Sequence, residues 1–156
     1  SLSETPIVVV CSGVKSFLDV DKTAEVLETF GVTTVGYKTD CFPLFYTSKS
    51  NIKLQHCYKD AKKVAELFKL NKEAKLNSSI LVLNPVPKKH EIPYQEMDSI
   101  ISSSIVEMKS MGITGKDTTP HLLKTIAQKT KNRSLETNIR LALNNISIGA
   151  KIAQKI

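Results

Sequence analysis

Apolar positions along this chain follow two rhythms, one of strands and one of helices. Pro6-Ile-Val-Val-Val-Cys11 is a β-branched run without alternation, the pattern of a strand buried on both faces, and Ser12-Gly13 ends it as a turn. From Asp21 to Phe30, the spacing of Ala24, Val26, Leu27 and Phe30 predicts a helix capped by Asp19 or Asp21 and stopped at Gly31. Val32 to Tyr37 reads as a second strand and Lys38 to Lys53 as a loop rich in aromatics. A basic amphipathic helix is expected from Lys59 to Leu76, with Ala61, Val64, Ala65, Leu67 and Phe68 facing inward. Ile80 to Leu83 is a third strand, ended by Asn84-Pro85-Val86-Pro87. Helices follow over Pro93–Met111, Pro120–Lys129 and Ser134–Ile156. Thr118 or Thr119 is the expected cap of the second of these, and Ser134, accepting from the Thr137 amide, that of the third.

Strands alternating with helices predict a three-layer α/β/α sandwich with a mainly parallel sheet. Three strands leave both sheet edges open, so more sheet is expected from elsewhere and stability of the chain alone is expected to be poor.

Composition narrows the class without deciding function. A length of 156 residues fits one compact domain, and 41% hydrophobic with 24% charged residues is the balance of a soluble globular protein. No apolar run approaches the ~18–20 residues that cross a bilayer, so no membrane partner is expected, and no signal-peptide pattern opens the chain. The net charge of +7 comes from lysines dispersed along the chain, without interleaved aromatics or an RNA-binding signature. That distribution argues against a nucleic-acid partner and is compatible with a small phosphorylated one. Cys11, Cys41 and Cys57 form no C-x-x-C pair or His/Cys cluster, and reduced, mostly buried thiols are the expectation.

Ligands of open α/β sheets bind beyond the carboxyl ends of the strands. Cys11-Ser12-Gly13-Val14-Lys15-Ser16 occupies such a position and is the most suggestive of three that do. An amine drawn partly out of water there favours its neutral form, which adds to carbonyls, although a single lysine is more often an ordinary surface residue. Gly13 and Gly31 belong to no nucleotide-binding glycine pattern, Ser12 lies in no nucleophile elbow, and His56, His90 and His121 are far apart. Asn138 and Asn145 fall inside a helical pattern where asparagine is a poor choice unless its amide meets a partner or ligand.

These same segments resemble one family. Val8-Val9-Val10-Cys11-Ser12-Gly13-Val14-Lys15-Ser16-Phe17-Leu18-Asp19 resembles the V-V-C-A-G-A-K-S-I-L-D signature of pseudouridine-5'-phosphate glycosidases, also called indigoidine synthase A-like proteins. The similarity continues through Leu27–Val32, Val35-Gly36-Tyr37, Phe42-Pro43, Phe45-Tyr46, Asn84–Pro87, Gly115-Lys116, Thr119-Pro120, Ser134-Leu135, Asn138-Ile139 and Asn144-Asn145.

The resemblance implies cleavage of the C-glycosidic bond of pseudouridine 5'-phosphate to uracil and ribose 5-phosphate, a reversible reaction. It implies that Lys15 forms an imine with ring-opened ribose, and that Asn138, Ser12 and Gly13 lie against substrate. It further implies a divalent metal, typically manganese, a cytoplasmic homotrimer, and that residues 1–156 are the C-terminal part of one such domain. The family's glutamate acid, phosphate-binding lysine and acidic metal segment correspond to no residue here, and no metal ligand is expected in this chain. The chain also departs from the family at Val14, at Ser48 (usually arginine) and at Lys88-Lys89 (usually acidic). A catalytically inactive fragment or homologue that serves as a binding or interaction domain is the alternative.

Overall fold

The β-branched run near the start becomes β1 (Val8–Cys11), and Ile80–Leu83 becomes β4, as the pattern predicted. In the computed structural model, which describes residues Ser1–Ile156, these strands join β2 (Thr33–Tyr37) and β3 (Cys57–Tyr58) in a sheet of order β1-β4-β2-β3. Every pairing is parallel, with Val8 beside Ile80 on one side of β4 and Thr33 beside Ile80 on the other. β4 is therefore central, and its four residues are all buried.

The sheet has four strands where the sequence pattern shows three. β3 is only two residues long and is defined by pairing with Gly36 and Tyr37. A strand of that length has no side-chain rhythm to read.

Helices cover both faces, which makes the three layers. α1 (Val20–Thr29) lies on one face, where Val20, Ala24 and Leu27 pack with Val9, Leu81 and Leu83. α2 (Ala61–Glu73) and α5 (Arg133–Ala153) lie on the other, where Val64, Ile148 and Ile152 meet Val35, Ile80 and Val82. Alternate residues of β4 thus feed opposite cores, as the two-residue period of a strand requires. α3 (Tyr94–Ser110) and α4 (Thr118–Lys129) build a separate cluster around Tyr46, Ile92, Met97 and Ile126.

Helix starts follow the sequence where a carboxylate is available. The Asp19 side chain accepts from the Lys22 amide at 2.9 Å, as expected; Asp60 caps α2 in the same way through the Lys63 amide, so that helix starts at Ala61 instead of Lys59. Two expected caps are corrected. Thr118 is already the first helical residue of α4, because a 3-10 turn over Gly115–Asp117 leads directly into it. α5 begins at Arg133 after Asn132 at φ 65°, so Ser134 lies within the helix. Its buried hydroxyl meets that of Thr130 at 3.0 Å instead of the Thr137 amide. The thiols are also less buried than expected: Cys41 is buried, Cys11 intermediate and Cys57 exposed.

Two apolar surfaces stay uncovered. β1 has a partner on one side only, and α5 carries Leu135, Ile139, Leu143 and Ile146 more than half exposed on the side away from the sheet. No helix is long and apolar enough to cross a membrane.

Candidate active site at the strand ends

Ligands of open parallel sheets bind beyond the carboxyl ends of the strands. At that edge the chain leaving β1 runs to α1 on one face of the sheet, while α5 packs against β1 on the other. The amide of Asn84 donates to the Cys11 carbonyl at 2.8 Å, so the exits of β1 and β4 are tied together where they leave the sheet.

Ser12, Gly13 and Lys15 sit at this edge. Ser12 is buried, Lys15 is half-buried and in no ion pair, and the Lys15 carbonyl accepts from the Leu18 amide at 2.8 Å. Gly13 has φ 83°, a conformation that side chains rarely adopt, and it pairs in an antiparallel bridge with Leu44. A Cβ placed on it would lie 1.8 Å from the Pro43 carbonyl oxygen. Glycine is required here twice over, by torsion and by the approach of a neighbouring backbone.

That neighbour is the aromatic segment Cys41–Tyr46, which crosses the lysine turn as a strap. The Phe45 amide donates to the Ser12 carbonyl at 3.0 Å, and the Ser16 hydroxyl donates to the Leu44 carbonyl. Phe45 holds φ 65°, a strained value for a bulky side chain that persists only where its surroundings enforce it. The enforcement comes from Tyr46, which is 1% exposed, stacks edge-on with Phe45 at 4.9 Å, and receives the Ile92 amide on its carbonyl at 3.0 Å. Burial pushes the Tyr46 phenol up to about 12, opposed by its hydrogen bond to Ser134. Burial likewise raises the Cys11 thiol, opposed by the backbone of Gly13, which keeps this thiol a poor nucleophile.

On the other side of the turn stands α5. Asn145 Nδ2 donates to Ser12 Oγ at 3.0 Å, and Asn84 Nδ2 donates to Asn145 Oδ1 at 2.9 Å. One carboxamide from the helix thus joins the residues that end β1 and β4. The pattern along the helix marked Asn145 as unusual, because asparagine there costs up to about 0.7 kcal/mol against alanine. Its partners lay beyond sequence reach. Asn138 is half-buried on the same helix, seven residues earlier, which is about two turns. The structure places it on the side of α5 that bears Asn145, but not in this hydrogen-bonded group.

Other features lie elsewhere. Ser48, where the resembling family has arginine, donates its amide and hydroxyl to Glu91 Oε1, both at 2.8 Å. Lys88 and Lys89 are exposed. A groove of about 320 Å³ runs between α1 and the segment Ile52–His56, lined also by Gly31–Thr34 at the opposite end of β2 from the lysine turn. No three or more His, Cys, Asp or Glu side chains gather in a metal-binding group. The residues of this chain therefore do not fit the divalent metal that the resemblance implies.

Fold and site together define an α/β protein that presents a lysine on a clamped turn at the carboxyl edge of a parallel sheet. The chain belongs to the family described as indigoidine synthase A like protein, whose pattern matches residues 1–155. It is 46% identical over 152 residues to a pseudouridine-5'-phosphate glycosidase of Legionella pneumophila, covering 97% of this chain and 49% of that one. A pseudouridine-5'-phosphate glycosidase of Staphylococcus aureus is 41% identical over 152 residues, with 97% and 50% covered. Among solved structures, an indigoidine synthase A-like protein from Thermotoga maritima matches with a TM-score of 0.86 at 35% identity, over 97% of this chain and 50% of that one. Prealnumycin C-glycosynthase, solved with ribulose 5-phosphate, also reaches 0.86, over 98% and 52%; at 23% identity this likeness shows the fold alone. The chain spans about half the length of the curated relatives it matches, and corresponds to a C-terminal half of the domain.

Proposed function

We propose that this chain is the lysine-bearing part of a pseudouridine-5'-phosphate glycosidase, with Lys15 as its nucleophile. The observation that carries the reading is the Lys15 turn, held between strap and helix at the carboxyl ends of the strands in a chain whose relatives bear that enzyme's name. In the cleavage direction, the bond from C1 to the ring oxygen breaks, the Lys15 amine becomes bonded to C1 and gives up a proton, and the ring oxygen takes a proton to become a hydroxyl. The bond from C1 to C5 of uracil then breaks, and its electron pair passes into the pyrimidine ring, which takes a proton at C5. C1 is left as an imine on Lys15, and water hydrolyses it to ribose 5-phosphate and the free amine. The reverse begins with the amine condensing with the open-chain aldehyde and releasing water. Nucleophilic catalysis of this kind replaces one difficult cleavage by two easier steps.

In this reading Ser12, Gly13 and Asn138 lie against the substrate, and the positive charge of the chain favours a phosphorylated sugar. The reading assigns the proton donor for uracil and the cation for the phosphate to the half of the relatives' length that this chain does not span. The test is release of uracil from pseudouridine 5'-phosphate by the full-length protein and by its Lys15→Ala variant, followed by chromatography. Uracil release that the variant abolishes supports the reading. Release undiminished in the variant contradicts it.

A further inference from the structure

We infer that Asn145 is a positioning residue that sets the place of Lys15 from the helix side of the sheet. The inference rests on the reading of Lys15 as nucleophile, but its structural part stands on separate observations.

Asn145 is the one residue of α5 whose side chain is hydrogen-bonded to the ends of both β1 and β4, through Ser12 and Asn84. Both partners are nearly sealed from solvent, Ser12 at 2% and Asn84 at 4% exposure. A hydrogen bond so enclosed has no water to replace it when it is lost. The opposite side of the turn is gripped by backbone: the Phe45 amide on the Ser12 carbonyl, the Leu44 bridge to Gly13, and the Pro43 carbonyl packed where a Gly13 side chain would be.

Ser12 is the residue the two grips share. Its carbonyl is held by the strap and its hydroxyl by the helix, three residues before Lys15. The strap grips Ser12, Gly13 and Ser16 from one side of the turn only. The second attachment fixes its orientation, and so the direction in which the Lys15 chain leaves the sheet edge. Catalytic geometry is sensitive to displacements of about 1 Å, which is why such a second attachment matters to rate.

The full-length protein is compared with its Asn145→Leu and Asn145→Asp variants. Leucine keeps the branching and the number of side-chain heavy atoms, and ends both hydrogen bonds. Aspartate keeps two acceptor oxygens, so the Asn84 amide and the Ser12 hydroxyl can both still donate to it. Amide exchange is read by NMR at Leu18 and Phe45, which report on the turn, and at Val82 and Leu83 in β4. Formation of a borohydride-reducible adduct with ribose 5-phosphate on Lys15 is read in parallel.

The expected result for Asn145→Leu is exchange about tenfold faster or more at Leu18 and Phe45, with the β4 amides unchanged. Adduct formation slows by about tenfold or more, and Asn145→Asp restores much of both. Unchanged exchange at Leu18 and Phe45, or acceleration of all four amides alike, overturns the inference, since Asn145 would then be idle or merely stabilising. A loosened turn with an unslowed adduct overturns it as well. An adduct missing from the unmodified protein removes the reading of Lys15 as nucleophile, while the exchange data still decide whether Asn145 holds the turn.

Discussion

Replacing Gly13 with alanine probes the contact between the lysine turn and its strap, and the size of the effect follows from the structure. An alanine Cβ there would lie 1.8 Å from the Pro43 carbonyl oxygen and 2.7 Å from the Pro43 carbonyl carbon. Both atoms are backbone, so no rotamer change relieves the overlap; the strap must move by more than about 1 Å to reach ordinary contact. Forced displacement of a packed segment costs about 1–3 kcal/mol. Adopting φ 83° with a side chain adds about 1–2 kcal/mol. The total expected loss is about 2–5 kcal/mol, read from urea denaturation midpoints. Gly112 supplies the control, because it has φ 68° and nothing within 4 Å of an added Cβ. Gly112→Ala should show the torsional part alone, about 1–2 kcal/mol. Equal losses for the two variants would refute the argument, since the strap would then exert no steric hold on the turn.

Tyr46 and the cysteines give further checks. The folded Tyr46 phenol titrates near 12, above the ordinary value of 10.0, so its contribution is complete below pH 10 and is lost as pH rises from there toward 12. Over that window Tyr46→Phe should abolish about 2–3 kcal/mol of alkaline destabilisation, seen by comparing the pH dependence of unfolding in the two proteins; parallel curves would argue against a buried phenol. Of the three thiols, Cys57 should react first with a maleimide and Cys41 last, because Cys57 is exposed and Cys41 buried, while Cys11 is slowed by its raised thiol pKa. Peptide mapping after timed labelling checks this order, and Cys41 labelled ahead of Cys57 would contradict the packing of the strap.

What the sequence revealed depended on how local each cause is. Ile80–Leu83 was legible because a run of apolar residues buried on both faces needs no partner to be recognised. Asp19 was legible as a cap because its carboxylate reaches an amide only three residues on. β3 was not legible, since two residues become a strand only through pairing with β2. The caps of α4 and α5 were misplaced because Thr118 and Ser134 look like caps locally, whereas turns before them start each helix earlier.

The candidate site divides the same way. A lysine just after a strand and a glycine turn is a local pattern, and resemblance to a family strengthened it. Asn145 showed only as an asparagine in an awkward place, because its partners Ser12 and Asn84 are 133 and 61 residues away. The strain at Phe45 left no sequence signal, since a non-glycine residue takes a positive φ only when tertiary contacts compel it. The uncovered stripe of α5 and the open edge of β1 agree with a chain that spans about half of its relatives' length.

The central claim is that Lys15 is the nucleophile, and a mass measurement tests it most directly. The full-length protein is incubated with ribose 5-phosphate, reduced with borohydride, digested and mapped by mass spectrometry. The account predicts a sugar-phosphate adduct on the peptide carrying Lys15, absent when Lys15→Ala is treated in the same way. An adduct on another lysine, or none on any, would contradict it.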